Sequence, residues 1–118
     1  MTNKKPNILF LMADQMAASA LSFYGHKVVK TPNLDALAKD AVVFDSAYCN
    51  SPLCAPSRYV LMTGQLPAKI GAFDNAADLP ADIPTFAHYL RQQNYQTALS
   101  GKMHFCGPEQ LHGFEGRL

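Results

Sequence analysis

The sequence is short of cysteine, of like charges in a row and of long apolar stretches. Its three cysteines form an odd and sparse set that argues against a disulfide framework: Cys49, Cys54 and Cys106. A Cys49–Cys54 disulfide stays open on spacing alone, although no dense cysteine pattern accompanies it. The same spacing does not suit a zinc site, which usually combines a two-residue gap with a second ligand pair. Each cysteine therefore needs its own explanation.

Charge is nearly balanced, with 10 Lys and Arg against 9 Asp and Glu and a formal net charge of +1. Lys4-Lys5 is the only basic doublet, so the sequence predicts neither a nucleic-acid partner nor a membrane-surface partner. No apolar stretch reaches the length of a membrane span. The apolar run 8–13 is too short for a signal peptide and stops at Asp14, which predicts a cytoplasmic location.

The sequence does have enough apolar residues for a core. Of its 118 residues, 48% are hydrophobic, which predicts a globular chain that is one small domain or part of a larger one. The run 8–13 lacks alternation, as is typical of a central parallel strand covered on both faces. Further strands are predicted at 42–48 and 95–99. One helix is predicted to begin at Thr31-Pro32-Asn33, a second to cover 58–63 and a third to begin at Ile83-Pro84. Residues 65–80 and 105–118 are predicted loops. Strands that alternate with helices indicate an α/β domain with a mainly parallel sheet flanked by helices.

Polar side chains follow the predicted strands in three places. If the strands are parallel, these places lie at one edge of the sheet, where α/β proteins bind ligands. The three clusters are Asp14-Gln15, Cys54 with Arg58, and Lys102 with His104. The sequence therefore predicts a single site, with an ordinary strand-end cap at Asp14 as the alternative.

Cys54 has an unusual setting. Pro56 suits the first turn of a helix because it lacks the N–H that would be unpaired there. Cys54 is then at or just before a helix N-terminus, whose N–H groups and partial positive charge stabilise a thiolate or an oxyanion. Arg58, one turn further on, would face the same anion with its planar donor fork. The alternative is a buried structural cysteine with Arg58 on the surface.

Lys102 and His104 are two residues apart, so in an extended segment their side chains point the same way. Lys102 would neutralise an anion, and His104 would exchange protons near neutral pH. The alternative is a pair of solvated loop residues. His88 is expected at the surface or at the boundary of the core.

These residues resemble a known family. Cys54-x-Pro56-Ser57-Arg58, followed by Thr63-Gly64, resembles the signature of the type I sulfatases. The strand that ends at Asp14 and the segment Gly101-Lys102-x-His104 resemble two further segments of that family, in the same order. A narrower resemblance is to choline sulfatases, on segments at 51–54, 74–77, 84–91, 101–105 and 107–115.

The resemblance implies an alkaline-phosphatase-like fold and a role for each site residue. Cys54 would be oxidised by a formylglycine-generating enzyme to formylglycine (3-oxoalanine), whose hydrate attacks the sulfate sulfur. Arg58 and Lys102 would stabilise charge, and His104 would help to deprotonate the hydrate.

A divalent metal, Ca²⁺ in most of the family, would be bound by Asp14 and the modified Cys54, with Gln15 as a further candidate ligand. Asn75 would line the substrate site, although an Asp-Asn pair in a loop is usually only a turn. The implied reaction is the hydrolysis of choline sulfate to choline and sulfate.

Two departures from the family pattern keep alternatives open. Gln15 stands where many sulfatases have a second Asp, and an Asp-Gln pair also occurs both in choline sulfatases and in the related phosphonate monoester and phosphodiester hydrolases. Sulfatases are much longer, so residues 1–118 are predicted to be an incomplete N-terminal portion of a catalytic domain, inactive alone. A catalytically dead interaction domain is a third hypothesis. The oligomeric state of the full-length protein stays open.

Overall fold

The computed structural model describes residues 5–118, which divide into two units, 5–46 and Ala47–Leu118. The first unit contains short 3-10 helices at Ala18–Ala20 and Ser22–Tyr24 and helix α1 at Pro32–Lys39. The Ser22 hydroxyl lies 2.7 Å from one carboxylate oxygen of Asp35, and the Thr31 hydroxyl donates to the other at 2.9 Å. These hydrogen bonds tie the start of α1 to the preceding turn and hold the pKa of Asp35 below its usual value. Helix α1 begins as predicted.

Helix α2 at Cys54–Thr63 is the central element of the second unit. Leu53 precedes it in an extended conformation, and Pro56 lies in its first turn, where the missing N–H has no consequence. Gly64 ends the helix with a left-handed φ of 67°, and its N–H donates to Val60 O at 2.8 Å. The structure thus confirms a helix that ends at Gly64 and shows that it begins at Cys54.

Two further helices and one strand pair complete this unit. Helix α3 covers Pro67–Ile70, and helix α4 covers Phe86–Gln92. Thr85 and His88 form a capping box at the start of α4, in which the Thr85 side chain accepts from the His88 N–H and His88 Nδ1 accepts from the Thr85 N–H. Strands β1 at Ala98–Leu99 and β2 at Gly116–Arg117 pair in parallel. None of the helices in the described part of the chain is long and apolar enough to cross a membrane.

The core of the second unit packs around one face of α2. Its buried apolar side chains come from α2, α3, β1 and the connecting segments: Ala55, Tyr59, Met62, Ile70, Ala72, Leu79, Leu99, Met103 and Phe105. Because α2 contributes the two largest fully buried side chains, Tyr59 and Met62, the helix that begins at Cys54 is fixed firmly in this unit.

Several predicted elements differ in the structure. No segment among residues 5–118 pairs with 8–13 or with 42–48, so the strands predicted there are wrong for this chain. A run such as 8–13 needs cover on both faces, and Leu9 is instead 81% exposed. The strand predicted at 95–99 shortens to Ala98–Leu99. The predicted loops 65–80 and 105–118 contain α3 and β2, because a single helical turn and a two-residue strand leave almost no periodicity in a sequence.

Candidate active site

Cys54 is the first residue of α2 and is half-buried. The next N–H along the chain, from Ala55, donates to Oδ1 of Asn75 at 3.0 Å. Asn75 itself is exposed and lies in the loop between α3 and α4. The amide oxygen of Asn75 therefore caps the helix N-terminus beside Cys54, although the two residues are 21 positions apart in the sequence.

Arg58 joins two of the three predicted clusters. Its side chain is only 4% exposed. Nη1 donates to the carbonyl oxygen of Cys54 at 3.0 Å, and Nε donates to the carbonyl oxygen of Lys102 at 3.3 Å. A guanidinium presents several donors in a fixed plane, so one Arg58 side chain is able to join both carbonyls. The alternative of a surface Arg58 is wrong.

His104, two residues after Lys102, has an unusual backbone conformation. Its φ is 62°, in the left-handed region that few residues other than glycine adopt. The side chain is half-buried, and its Nδ1 is buried without a hydrogen-bond partner among residues 5–118. Lys102 is exposed. The segment thus presents a cationic side chain and an imidazole within three residues.

Tyr59 and Cys106 surround the carbonyl oxygen of His104. The Tyr59 hydroxyl lies 2.6 Å from this oxygen and 3.2 Å from the carbonyl oxygen of Ala77. The Cys106 sulfur lies 3.6 Å from the same His104 oxygen and 3.3 Å from the carbonyl oxygen of Asn75. Burial, followed by the neighbouring Cys106, raises the pKa of Tyr59 to about 12. The phenol therefore stays protonated near neutral pH and acts as a hydrogen-bond donor.

The second unit therefore holds together five of the residues named from the sequence: Cys54, Arg58, Asn75, Lys102 and His104. Sequence reasoning missed Tyr59 and Cys106. Tyr59 directly follows Arg58 in the sequence and carries a polar group on the buried side of α2. Its place beside Arg58 could have indicated a role in the site. Nothing in the sequence around Cys106 distinguishes it from an exposed loop cysteine.

Two of the metal ligands named from the sequence, Asp14 and Gln15, belong to the first unit, whereas the third, Cys54, belongs to the second. Asp14 and Gln15 occupy an exposed turn, in which Gln15 has a left-handed φ of 59°. Within residues 5–118, no group of three or more His, Cys, Asp or Glu side chains is placed to hold a metal ion. One carboxylate and one amide oxygen suit a hard cation such as Ca²⁺, which takes six to eight oxygen ligands. These two residues therefore fit part of a cation site, and their assignment as metal ligands stays a prediction.

None of the three cysteines forms a disulfide, so the Cys49–Cys54 disulfide is absent. His88 is half-buried, as expected, with Nδ1 in the capping box of α4. His112 is 1% exposed, and both of its ring nitrogens are without a hydrogen-bond partner among the described residues. Its ring contacts Phe105, with centroids 4.4 Å apart.

A cysteine at a helix start, a buried arginine behind it and a lysine and histidine on the adjoining segment define a candidate hydrolase site for an anionic ester. This chain belongs to the sulfatase family, whose model matches residues 6–115. It is 52% identical over all 118 residues to a choline-sulfatase of Rhizobium meliloti, of which it covers 23%. It is 39% identical over 112 residues, 95% of the chain, to an N-acetylglucosamine-6-O-sulfatase of Bacteroides thetaiotaomicron, of which it covers 20%.

The fold matches solved sulfatase structures. One of these, a complex with its substrate D-glucosamine-2-N,6-O-disulfate, superimposes with a TM-score of 0.90 at 38% identity and covers 97% of this chain and 23% of that one. The predicted α/β, alkaline-phosphatase-like fold is thereby confirmed. The chain spans about a quarter of the length of the relatives it matches.

Proposed function

We propose that the complete protein containing this chain hydrolyses sulfate esters, with choline sulfate as its substrate and Cys54 as the residue that is matured to formylglycine. One observation supports this most directly. The buried Arg58 side chain donates hydrogen bonds to the backbone carbonyls of Cys54 and Lys102, and thereby links the proposed nucleophile precursor to the segment that carries Lys102. The 52% identity to a choline-sulfatase supports the choice of ester.

The surroundings of Cys54 suit an oxygen nucleophile and an anionic substrate. Formylglycine would supply a hydrated aldehyde, one hydroxyl of which would lose its proton and attack the sulfur of the ester as the S–O bond to the alcohol breaks. Loss of the proton of the second hydroxyl would then break the C–O bond to the sulfate, which releases sulfate and restores the aldehyde. Cys54 begins α2, so residue 54 lies where the helix dipole favours negative charge. The amide oxygen of Asn75 accepts a hydrogen bond from the Ala55 N–H and so keeps this end of the helix in one conformation.

Arg58 and Lys102 have distinct roles in this proposal. Arg58 is buried and donates two hydrogen bonds to backbone carbonyls, so its positive charge is held in one position close to residue 54. Lys102 is exposed, and its ammonium would contact the sulfate oxygens as they gain charge. The buried arginine is held in one position, whereas the lysine lies at the surface.

His104 would hold the proton that leaves residue 54. The His104 side chain is half-buried, and its Nδ1 has no hydrogen-bond partner among residues 5–118, so no described group competes for a proton there. Asp14 and the modified Cys54, with Gln15 as a further oxygen donor, would bind a divalent cation. Such a cation, Ca²⁺ by the ligand chemistry, would polarise the ester oxygens.

The proposal is tested with the complete protein, produced together with a formylglycine-generating enzyme. Mass spectrometry of the peptide that contains Cys54 should show the aldehyde, and the protein should release sulfate from choline sulfate. Cys54→Ala should lower the rate by about a thousandfold or more, because the nucleophile is lost. Cys49→Ala is the matched control, since Cys49 is an exposed free cysteine five residues earlier. It should keep both the modification and the rate.

Other outcomes would assign a different function. Faster turnover of phosphodiesters or phosphonate monoesters than of choline sulfate would make the protein a phosphoester hydrolase, the alternative that Gln15 leaves open. An unmodified Cys54 thiol, together with no turnover of either ester class, would indicate a domain that serves only for interaction.

A further inference from the structure

Two neighbouring residues of α2 hold two alternate carbonyls of the segment that carries Lys102 and His104. Arg58 Nε donates to Lys102 O, and the Tyr59 hydroxyl donates to His104 O. The helix that begins at Cys54 therefore fixes the register of this segment through a pair of hydrogen bonds that span 44 and 45 residues of sequence.

The Tyr59 hydroxyl is held in place from several sides. Tyr59 is fully buried, and its ring lies 6.1 Å from that of Phe105 with 17° between the planes. Its hydroxyl has one proton, and the 2.6 Å separation from His104 O makes this the stronger of its two contacts, since Ala77 O is 3.2 Å away. The Cys106 thiol, 3.6 Å from the same His104 oxygen, is a weaker donor.

His104 needs such an anchor because of its backbone. A left-handed φ in a residue other than glycine is unfavourable and persists only where the surroundings hold it. Backbone conformation at a residue also determines which directions its side chain is able to take. A hydrogen bond to the His104 carbonyl therefore acts on the direction of the imidazole, even though the Tyr59 hydroxyl bonds to the backbone.

We propose that Tyr59 is a positioning residue, whose hydroxyl holds the left-handed backbone of His104 and so aims its imidazole at the reacting group on residue 54. This inference rests on the proposed function for the role of His104. A phenylalanine at position 59 would fill the same space against Phe105 and Met62. The positioning effect depends on the hydroxyl alone, which separates it from core packing.

The test compares Tyr59→Phe with Tyr89→Phe in the complete, matured protein. Tyr89 lies on α4 and is 55% exposed. Tyr89→Phe is the matched control, because it also removes one tyrosine hydroxyl. In Tyr59→Phe, kcat should fall between about tenfold and about a hundredfold, because a small misplacement of a proton acceptor slows the reaction. KM should change by less than about twofold, since the substrate contacts are untouched. Formylglycine content, measured by mass spectrometry, should be unchanged, and Tyr89→Phe should behave as the wild type.

A second readout reports on His104 without turnover. Selective ¹³C labelling of the histidine rings allows the pH titration of His104 to be followed by NMR, with His104→Gln used to assign its resonance. Tyr59→Phe should shift that titration, and Tyr89→Phe should leave it in place. A purely structural loss would lower the unfolding temperature of Tyr59→Phe without changing the His104 titration of the folded protein, and that result would overturn the inference.

Two further measurements cover a Tyr59→Phe variant that does not fold and a protein that hydrolyses no ester. If Tyr59→Phe does not fold, 3-fluorotyrosine incorporated at position 59 keeps the hydroxyl and makes it a stronger donor. A His104 titration unchanged by that replacement would overturn the inference, and a shifted one would support it. If the matured wild type hydrolyses no ester, the proposed function fails. The NMR titration then decides by itself whether Tyr59 positions His104.

Discussion

Thr85→Val is expected to loosen α4 and the segment behind the candidate site. Thr85 is fully buried, and its hydroxyl donates to the carbonyl oxygen of His112 at 2.6 Å. The same side chain accepts from the His88 N–H in the capping box. Valine has nearly the same shape but removes both hydrogen bonds. His112 packs on Phe105, which packs on Tyr59, so this anchor lies at the back of the segment that carries His104.

The magnitude follows from the two lost contacts. Removing an N-cap side chain costs about 1 kcal/mol. Leaving a buried carbonyl without its donor costs about 1 to 3 kcal/mol more. The sum, about 2 to 4 kcal/mol, corresponds to a change of about 30-fold to about 700-fold in a local opening equilibrium, since about 1.4 kcal/mol is tenfold. Thr85→Ser keeps the hydroxyl and should lose only a small part of this stabilising free energy.

Hydrogen exchange of the complete protein, followed by mass spectrometry, measures the effect locally. Peptides that cover α4 and residues 111–115 should exchange faster in Thr85→Val by the factor given above, while peptides from residues 5–46 should not change. Thr85→Ser should stay close to the wild type. Equal protection of the valine and serine variants would refute the reasoning, because the hydroxyl would then contribute nothing to α4.

Two further predictions follow from His112 and Asn75. Burial lowers the pKa of His112 from 6.5, despite the opposing charge of Glu109. His112 therefore binds a proton more readily in the unfolded chain than in the folded chain. The free energy of unfolding should decrease as the pH falls through about 6.5. His112→Leu should reduce the difference between unfolding temperatures measured at about pH 7.5 and about pH 5.5, and an unchanged difference would contradict this assignment. Asn75→Ala removes the acceptor of the Ala55 N–H and should lower stability by about 1 kcal/mol, measured by urea unfolding. Asn75→Asp keeps the acceptor and should keep the stability, but its negative charge beside residue 54 should raise KM for a sulfate ester. A KM equal to that of the wild type would argue against substrate near Asn75.

Much of the local structure could be predicted from the sequence. Pro56 and Gly64 bound α2 by steric rules that act within a few residues, so the position of Cys54 at a helix start was predictable. The chemical character of the site was also predictable, because the spacing of Cys54, Arg58, Lys102 and His104 resembles that of the sulfatase family, to which the chain belongs. The lack of strands at 8–13 and 42–48 could not be predicted, because a strand depends on a hydrogen-bonded partner as well as on its own apolar residues.

The sequence by itself indicated the candidate site residues and determined which helix begins near residue 54, since turn chemistry, capping and motif spacing are local properties. Only the tertiary structure decided how these residues are held. Arg58 reaches Lys102, Tyr59 reaches the carbonyl of His104, and Asn75 reaches the N–H of Ala55, each across 20 to 45 residues of sequence. Such contacts depend on the path of the intervening loops and on packing against a common core, and no periodicity or motif encodes them.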